Sequence, residues 1–545
     1  MTNYQETYNS FRWDRPTHFN FTGDVIDRWA KERPEADALL WSNEAGEERR
    51  FTWSELKEQS EVAARVLAHL GLQRGDRVFL MLPRIPEWWF IVLGCIRAGI
   101  VFMPGTPMLT TKDVRYRLDI SHAKAVVSEG ASLDKFADLL TGSSVEHWLS
   151  IGQGTARWQN YHELSQEVVA GEMMFAPTLA DDPLLIYFTS GTTGMPKMVG
   201  HTQASYGIGH QITGKYWLDL TPDDRHLTLS DTGWAKAAWG KLFGPWNQGA
   251  CNVVYDFRGR FDAARILALL QQYRVTTFCA PPTAYRALIL QDLQSYDLSA
   301  LRHVVSAGEP LNPEVIEVWK TGTGHHIYEG YGQTETVVIV GAFPSLDPRP
   351  GSMGKPSPGF VVAVINDAGQ EVVAGQEGDI AVRLTPERPV GLFDHYLNDE
   401  AANQIAFRGD WYVTGDRAIK DEDGYFWFVG RSDDVIKTSG YRVGPFEVES
   451  ALIEHPAVAE SAVIGVPDER IGQRIKAFVV LKPGFTAGET LASELQAHVK
   501  QITAPYKYPR EIEFVTELPK TVSGKIRRNE LRRIGSAAST PEEQA

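Results

Sequence analysis

The chain has 545 residues, 43% of them hydrophobic and 23% charged, which is the composition of a globular protein with more than one domain. Its formal net charge of -15 at pH 7 excludes a general nucleic-acid binder, because such proteins present a basic surface to the phosphates. The three cysteines, Cys95, Cys251 and Cys279, are too far apart for a metal-ligand pattern and indicate buried thiols in a reducing compartment.

The N-terminus has no basic stretch followed by an apolar core, so no signal peptide is expected. The longest apolar run, residues 88–96, is about half as long as a membrane-spanning helix. The sequence therefore predicts a cytoplasmic protein without a membrane span.

Helices and strands alternate in the first part of the chain. Thr52 and Glu55 have the spacing of a capping box and predict the start of a helix that runs to residue 70. A strand at residues 77–82, an apolar helix at 88–98 and a short buried strand at 125–128 follow. This alternation favours a doubly wound α/β sheet.

A loop rich in glycine and hydroxyl groups follows the apolar strand at residues 184–188. Glycine lets the backbone approach a ligand closely, and hydroxyl and exposed N–H groups donate to anionic oxygens. A lysine near the end of the loop adds a positive charge. The loop is not a Walker loop, because the residue spacing of that motif is absent. The sequence therefore predicts phosphate binding by Thr189, Ser190, Gly191, Thr192, Thr193, Gly194 and Lys197.

Three later turns carry unusual side chains where short strands end, and ligands bind at such ends in open α/β sheets. The turns lie at residues 306–310, 328–336 and 412–416. Tyr331 offers an aromatic face for a purine, Glu335 a hard oxygen ligand for Mg²⁺, and Asp416 acceptors for the ribose hydroxyls. Together with the phosphate loop they predict one nucleotide site.

The pattern of apolar and polar residues changes at two further points along the chain. From about residue 345 to 430, alternating apolar runs are joined by hairpin-type turns, which predicts a small β-barrel subdomain. A second boundary falls near residue 432, and the chain beyond it has the pattern of a smaller α+β unit. We therefore expect an N-terminal domain at residues 1–432, made of doubly wound sheets and the β-rich subdomain, and a C-terminal domain at residues 433–545.

Six ordered motifs resemble those of the adenylate-forming acyl-CoA synthetases, and they cover nearly the whole chain. The motifs lie at residues 189–197, 308–310, 331–335, 414–416, 430–442 and 520–525. The medium-chain branch of this superfamily is the most similar, on residues 230–234, 424–426 and 504–510. The resemblance implies a ligase that joins a carboxylate to the α-phosphate of ATP, releases pyrophosphate, and transfers the acyl group from acyl-AMP to coenzyme A.

The same resemblance implies the roles of single residues in the ATP half of the reaction. Glu335 matches the Mg²⁺ ligand, and Thr334 matches a contact of the α-phosphate. Lys525 matches the lysine that bridges the carboxylate and the α-phosphate, so these three are the expected catalytic residues. The other expected contacts of ATP or AMP are Gly308, Glu309, Pro310, Glu329, Gly330, Tyr331, Gly332, Gln333, Asp416, Arg431 and Arg442.

Members of the family rotate a mobile C-terminal domain between the two steps, and Asp433 matches the hinge. The residues expected to meet coenzyme A after the rotation are Ser439, Gly440, Tyr441, Arg470, Lys500 and Tyr508. Arg470 stands beside the place of the family's arginine, which is displaced in this chain. The segment around Lys525 also resembles a site of lysine acetylation in relatives, so an acetyltransferase and a deacetylase are expected partners.

The acetate-specific branch carries a tryptophan where this chain has Gly332, so Gly332 implies room for a longer acid. Trp234, Lys236 and Trp239 lie in a segment that resembles the wall of the acyl pocket, although ordinary core packing also explains the two tryptophans. Short- to medium-chain or branched aliphatic acids are the expected substrates, and an aromatic acid such as benzoate stays open. Other open functions are the loading of a carrier protein, a luciferase-like oxygenation and nucleotide-dependent regulation without catalysis.

Overall fold

The computed structural model describes residues 1–152, 155, 157–168, 177–189, 195–439, 441–468, 470–520 and 525–537. Its strands are β1 (Asp37–Asn43), β2 (Glu48–Thr52), β3 (Arg77–Met81), β4 (Val101–Pro104), β5 (Ala125–Glu129), β6 (His147–Ile151), β7 (Gln159–Asn160), β8 (Pro183–Thr189), β9 (Lys197–Thr202), β10 (Arg225–Thr228), β11 (Cys251–Asp256), β12 (Thr277–Ala280), β13 (His303–Ala307), β14 (Ile327–Tyr331), β15 (Val340–Gly341), β16 (Lys355–Pro356), β17 (Val362–Ile365), β18 (Glu377–Arg383), β19 (Tyr396–Leu397), β20 (Phe407–Arg408), β21 (Trp411–Lys420), β22 (Phe426–Arg431), β23 (Ile436–Thr438), β24 (Tyr441–Val443), β25 (Val458–Asp468), β26 (Gly472–Leu481) and β27 (Glu511–Phe514).

The α-helices are α1 (Tyr4–Ser10), α2 (Asp27–Glu32), α3 (Trp53–His69), α4 (Pro86–Ala98), α5 (Thr111–Ser121), α6 (Tyr161–Glu167), α7 (His210–Ile212), α8 (Ala235–Ala238), α9 (Gly244–Asn247), α10 (Ala263–Gln272), α11 (Pro282–Leu288), α12 (Pro313–Thr323), α13 (Glu400–Ala406), α14 (Pro445–Ile453), α15 (Glu489–Ile502) and α16 (Arg528–Ala537). Wider π-helical turns lie at Phe21–Ile26, Gln203–Ile208, Thr213–Trp217 and Trp239–Phe243, and tighter 3-10 turns at Gly130–Leu139 and Leu293–Ser295.

Two large sheets of mostly parallel strands form the N-terminal part. The first sheet has nine strands in the order β16, β15, β14, β13, β12, β10, β11, β1, β2, and every pairing from β14 to β1 is parallel. The second has eight strands in the order β19, β9, β8, β4, β3, β5, β6, β7, parallel from β8 to β7. The predicted α/β architecture is confirmed, and parallel pairing places the carboxyl ends of these strands at one edge of each sheet.

Local sequence explains why these elements form. Thr52 caps α3 as predicted: its hydroxyl accepts from the Glu55 N–H at 3.2 Å, and the Glu55 carboxylate accepts from the Thr52 N–H at 2.8 Å. Strands β12 and β13 are buried at every position, although Thr277, His303 and Ser306 are polar, so neither strand shows the alternating pattern of a half-exposed strand.

The β-rich segment forms a third sheet that is open. Its order is β17, β18, β21, β20, with β22 also on β21, and all pairings are antiparallel. The predicted barrel is therefore corrected to an open sheet among the described residues. The reason is strand length: β17 has four residues and β20 has two, too few for tilted strands to wrap around and meet.

A fourth sheet follows, with the order β24, β23, β26, β25 and with β27 parallel to β26. Helices α14 and α15 pack on it around Leu452, Leu495 and Val499, which are fully buried. In the part of the chain that the structure describes, no helix combines the length and the apolar character that crossing a membrane requires.

Helices α3 and α4 cross at a glycine. A Cβ atom on Gly94 would lie 2.6 Å from the Ala63 Cβ and 2.8 Å from the Ala64 backbone nitrogen. Both distances are shorter than van der Waals contact, so only glycine allows the two helix backbones to approach this closely.

We expect Gly94→Ala to destabilise the protein by about 1–3 kcal/mol, because overpacking at the helix crossing outweighs the better helix propensity of alanine. Denaturant-induced unfolding followed by circular dichroism measures the change. Gly23→Ala is the matched control, since a Cβ at Gly23 meets only the Asn20 side chain at 3.8 Å. Equal unfolding midpoints for the two variants would show that the crossing tolerates a methyl group.

Candidate active site

Residues from distant parts of the chain meet at Asp416. The Tyr331 hydroxyl and the Gln333 side-chain amide each donate to Asp416 Oδ2 at 2.7 Å, and the Tyr412 hydroxyl donates to Gln333 Oε1 at 2.9 Å. Burial raises the pKa of Asp416, while the nearby Arg431 guanidinium acts in the opposite direction. The result is a buried, rigidly held carboxyl group at the carboxyl end of β14, where the sequence predicted a ribose contact.

Two lysines lie at the same edge. The Lys236 ammonium donates to the Ala307 carbonyl at the end of β13, and a Cβ on Gly308 would lie 3.5 Å from it. Burial lowers the pKa of Lys236, and the charge of Lys525 lowers it further. The charge of Lys525 also counters the raised pKa of Asp416. The charge of Lys525 therefore acts on both Lys236 and Asp416.

Glu335 is a buried carboxyl group with a tyrosine partner. Its Oε1 accepts from the Tyr396 hydroxyl at 2.8 Å, and burial raises its pKa. The Lys197 ammonium lies 4.8 Å from the centre of the same tyrosine ring. In the described ranges, no group of three or more His, Cys, Asp or Glu side chains could hold a metal ion by itself. The arrangement fits Mg²⁺, which proteins bind through one or two carboxylates together with phosphate oxygens.

The backbone at Thr334 is fixed by two side chains that the sequence motifs did not include. His201 Nε2 and the Tyr206 hydroxyl both donate to the Thr334 carbonyl, each at 2.7 Å. Burial lowers the pKa of His201 to about 3, so the imidazole is neutral and carries its proton on Nε2. The two rings are also stacked with centroids 3.6 Å apart. No local pattern marked these residues, because their role depends on a contact about 130 residues away along the chain.

The predicted phosphate loop connects two antiparallel strands. Thr189 ends β8 and pairs with Lys197 at the start of β9, so these two predicted residues lie side by side at the carboxyl end of β8. The Tyr116 hydroxyl on α5 donates to the Pro196 carbonyl at 3.1 Å beside it. The other predicted loop residues, Ser190, Gly191, Thr192, Thr193 and Gly194, lie outside the described residues.

The turn from Gly308 to Pro310 is held by Glu329. The Glu329 carboxyl group accepts from the Leu311 N–H at 3.0 Å, directly after the turn. Burial raises the pKa of Glu329 to about 8, so the group is mainly protonated at pH 7. Gly330 is equally constrained, because a Cβ there would lie 2.4 Å from the Trp217 ring. Glu329 therefore connects β14 to the chain directly after the turn, and residues 308–310 and 329–333 together are the predicted adenine-side wall.

The space beside Gly332 is filled. A Cβ there would lie 2.3 Å from the Val337 carbonyl oxygen and 2.6 Å from the tip of the Trp239 indole. Sequence reasoning took Gly332 as open room for the acyl chain, and this is corrected: the glycine makes room for Trp239. Trp239 is buried, whereas Trp234 is only half-buried. Trp239 therefore occupies the space next to Gly332.

The residues predicted to meet coenzyme A lie on the surface of the fourth sheet and α15. Tyr441 stacks on Tyr506 with ring centroids 4.1 Å apart, and the Lys500 ammonium lies 3.9 Å from the Tyr508 ring centre. Arg442 and Arg470 are exposed, Ser439 has the left-handed backbone angle φ 50°, and Gly440 lies outside the described residues. Of the predicted set, Lys500 and Tyr508 are therefore in contact with each other, and Tyr441 is held by Tyr506.

Asp433 lies in the short connection between β22 of the third sheet and β23 of the fourth. Its carboxylate is 3.4 Å from Arg431 Nε. The Ser432 N–H donates to the Gly415 carbonyl at 2.9 Å, which fixes the chain up to the residue before Asp433. This is the position expected of a hinge between the two parts of the molecule.

Comparisons with known proteins match both parts of the chain. The profile of the AMP-binding enzyme family matches residues 26–393, and that of the AMP-binding enzyme C-terminal domain matches residues 447–525. Acyl-coenzyme A synthetase ACSM3 of Mus musculus is 48% identical, over 98% of this chain and 93% of that protein. Acyl-coenzyme A synthetase ACSM4 of Homo sapiens is 49% identical, over 97% and 92%. The crystal structure of the anthranilate CoA ligase AuaEII with anthranoyl-AMP has a TM-score of 0.88 and 32% identity, over 96% of this chain and 98% of that one.

Both of these curated relatives are named as mitochondrial proteins. This contradicts the cytoplasmic location expected from the sequence, and that expectation is wrong. That expectation rested on the missing pattern of a secretory signal and of a membrane span. Neither pattern identifies a mitochondrial targeting segment, which is amphipathic and arginine-rich.

We expect Glu329→Gln to change how stability depends on pH. The folded pKa of about 8 lies above the ordinary 4.5, so the folded state binds the extra proton, and wild-type stability falls as the pH rises from about 5 to about 8. The glutamine side chain does not ionise, so the variant lacks this loss of stability. The free energy of unfolding of the variant should therefore gain on that of the wild type by up to about 1.4 kcal/mol for each unit of rising pH. Thermal unfolding at pH 5 to 8 measures this, with the exposed Glu422→Gln as control. Parallel curves for wild type and Glu329→Gln would contradict the assignment.

Proposed function

The chain belongs to the AMP-binding enzyme family and is an AMP-forming acyl-CoA ligase, and we propose that its substrates are short- to medium-chain or branched aliphatic acids. One oxygen of the acid attacks the α-phosphorus of ATP, the bond from that phosphorus to pyrophosphate breaks, and acyl-AMP forms. The sulfur of coenzyme A then attacks the acyl carbon and displaces AMP.

The observation that carries the mechanism is the position of Lys525. Its charge acts on Asp416, which is bound by Tyr331 at the end of β14, and on Lys236, which binds Ala307 at the end of β13. Attack of a carboxylate on a triphosphate crowds negative charge, and a positioned cation in a partly dry site stabilises that transition state. Lys525 supplies this cation in the proposed first step, and Thr334 contacts the α-phosphate.

Glu335 is the proposed ligand of Mg²⁺. Its carboxylate would lose the proton that burial favours when a divalent cation binds, because the cation outweighs the cost of burying the negative charge. When bound, the ion would neutralise charge on the phosphates of ATP. Tyr396 holds the carboxyl group in place, and Lys197 adds a second positive charge close by.

The other proposed contacts of the nucleotide come from Asp416 and Arg431, from the predicted adenine-side wall and from the phosphate loop. Asp416 and Arg431 would bind the ribose hydroxyls, since a buried carboxylate is a strong acceptor. Glu329 keeps the turn that ends at Pro310 in place for the adenine base. The loop after Thr189 would hold the leaving pyrophosphate, through hydroxyl and backbone N–H groups.

The second step needs a rearrangement. We place the domain boundary between residues 432 and 433, with Asp433 as the hinge. Tyr441 stacks on Tyr506 and Lys500 lies against Tyr508, so these side chains are partnered within the C-terminal part, and a rotation about the hinge would carry them to the acyl-AMP. Coenzyme A would then reach the acyl carbon along the segment that starts at Ser439.

The choice of acid rests on Trp239. Its buried indole closes the space beside Gly332, which favours short, medium or branched chains over long ones. Aromatic acids are the second candidate, supported by the similarity to the anthranilate CoA ligase. Acetylation of Lys525 by a partner enzyme would remove the cation and stop the first step.

We expect Lys525→Ala to lower acid-dependent ATP–pyrophosphate exchange by at least about 100-fold, the typical loss when one group that stabilises transition-state charge is removed. Coenzyme A should still convert synthetic acyl-AMP to the thioester, since that step does not need the lysine. Lys482→Ala is the control, because this exposed lysine follows the end of β26 and has no part in the proposed site. Exchange near the wild-type rate would disprove the role of Lys525.

Substrate preference is measured by coenzyme A-dependent release of AMP with acids from acetate to decanoate, isobutyrate, 2-methylbutyrate and benzoate. The highest kcat/KM is expected for an aliphatic acid of short to medium length or with a branch near the carboxyl group. A maximum for benzoate would favour the aromatic candidate, and no AMP release with any acid would contradict the proposed function.

We expect Trp239→Ala to shift the preference toward longer acids. Removing the indole opens depth in the pocket, and the ratio of kcat/KM for octanoate to that for butyrate should rise roughly tenfold, since one accommodated methylene is worth that much or more. The ratio cancels a general loss of activity. Trp148→Ala, in the core of the second sheet, should leave the ratio unchanged. An unchanged ratio in Trp239→Ala would remove Trp239 from the pocket wall.

A further inference from the structure

Backbone contacts join the chain before residue 521 to the chain directly after Lys525. Lys520 and Ile526 form an antiparallel bridge, and the Arg527 N–H donates to the Pro519 carbonyl at 2.8 Å. Helix α16 begins at Arg528, three residues after Lys525. Any force that fixes α16 therefore also fixes the place from which Lys525 extends.

Two arginines on one face of α16 bind the chain next to the hinge. Arg528 and Arg532 are four residues apart and so lie one above the other on the helix. Arg532 pairs with the Asp434 carboxylate and also donates to the backbone carbonyl of Asp433 at 3.3 Å. Arg528 Nη1 lies 3.8 Å from the other oxygen of Asp434. Helix α16 is thus joined to the expected hinge and to the residue after it.

The same face is anchored inside the C-terminal part. Arg528 Nη2 donates to both oxygens of Glu449 on α14, at 2.6 and 2.9 Å. The side chains of Asp434 and Glu449 are only 9% and 7% exposed. Buried carboxylates are costly without a cation, so both arginines are needed where they stand.

The charge of Arg528 also interacts with Glu309, a residue of the predicted adenine-side wall. Burial disfavours the charge of Arg528, but Glu449, Asp434 and, more weakly, Glu309 raise its pKa overall. Glu309 belongs to the turn before Pro310, on the opposite side of the domain boundary. The start of α16 therefore lies close to the site that Lys525 serves.

We propose that Arg532, supported by Arg528, is a positioning residue for adenylation: it fixes α16 to the chain at Asp433 and Asp434, so that the orientation of the hinge sets the position of Lys525. The inference rests on the proposed function, because alignment matters only if Lys525 acts in acyl-AMP formation. It explains how one backbone connection controls a side chain about 90 residues further along the chain.

The test compares Arg532→Gln and Arg532→Lys with Arg533→Gln, an exposed neighbour on the same helix. Arg532→Gln should lower kcat for ATP–pyrophosphate exchange about tenfold to hundredfold, the range that a displacement of about 1 Å produces, and leave the KM for ATP within about twofold. Thioester formation from synthetic acyl-AMP should stay near wild type. Arg532→Lys should recover part of the exchange, because it keeps the charge but not the planar guanidinium whose Nη2 contacts both Asp433 and Asp434. Arg533→Gln should behave as wild type.

A second arm separates positioning from a general structural effect. If Arg532 acts through Lys525, adding Arg532→Gln to Lys525→Ala should cause no further loss of the residual exchange. A further loss, an equal loss of thioester formation, or wild-type exchange by Arg532→Gln would each overturn the inference. Absence of exchange by the unmodified protein would instead overturn the proposed function, and this inference with it.

Discussion

A carboxylate and a triphosphate repel each other, and they react only where positive charge is concentrated and held in place. In the proposed mechanism that place is the carboxyl edge of the first sheet, where parallel strands bring Ala307, Tyr331 and their following turns together. Lys236 reaches the edge from α8, and Lys525 reaches it from the last part of the chain. The proposed reaction therefore depends on side chains from distant parts of the chain that lie near one edge of this sheet.

The same edge holds three buried carboxyl groups, and each has its own partner. Asp416 accepts from Tyr331 and Gln333, Glu335 from Tyr396, and Glu329 from the backbone after Pro310. Burial raises the pKa of all three. Asp416 and Glu335 lie where positive charge can favour the ionised form, whereas Glu329 is isolated and stays protonated. Similar residues thus have different states because their surroundings differ.

The sequence predicted those features that depend on neighbours along the chain. The capping box of α3, the short strands β12 and β13, and the turns that follow them are all local signals, and the structure has them. The family motifs led to Asp416 and Lys525 because their order is specific. Features that depend on packing were missed: His201 and Tyr206 bind a carbonyl on another element, and Trp239 takes the space that Gly332 suggested was empty. A glycine shows that something comes close, but it does not show whether a ligand or another side chain does.

The central claim is that one oxygen of the acid becomes bonded to the α-phosphorus of ATP. The most direct measurement uses an acid with both carboxylate oxygens labelled with ¹⁸O, followed by mass spectrometry of the nucleotide released with coenzyme A. The account predicts AMP that carries one ¹⁸O atom and an acyl-CoA that keeps the other, because the bond between the acyl carbon and the bridging oxygen breaks when the thiol attacks. Unlabelled AMP, or ADP together with labelled phosphate, would contradict it.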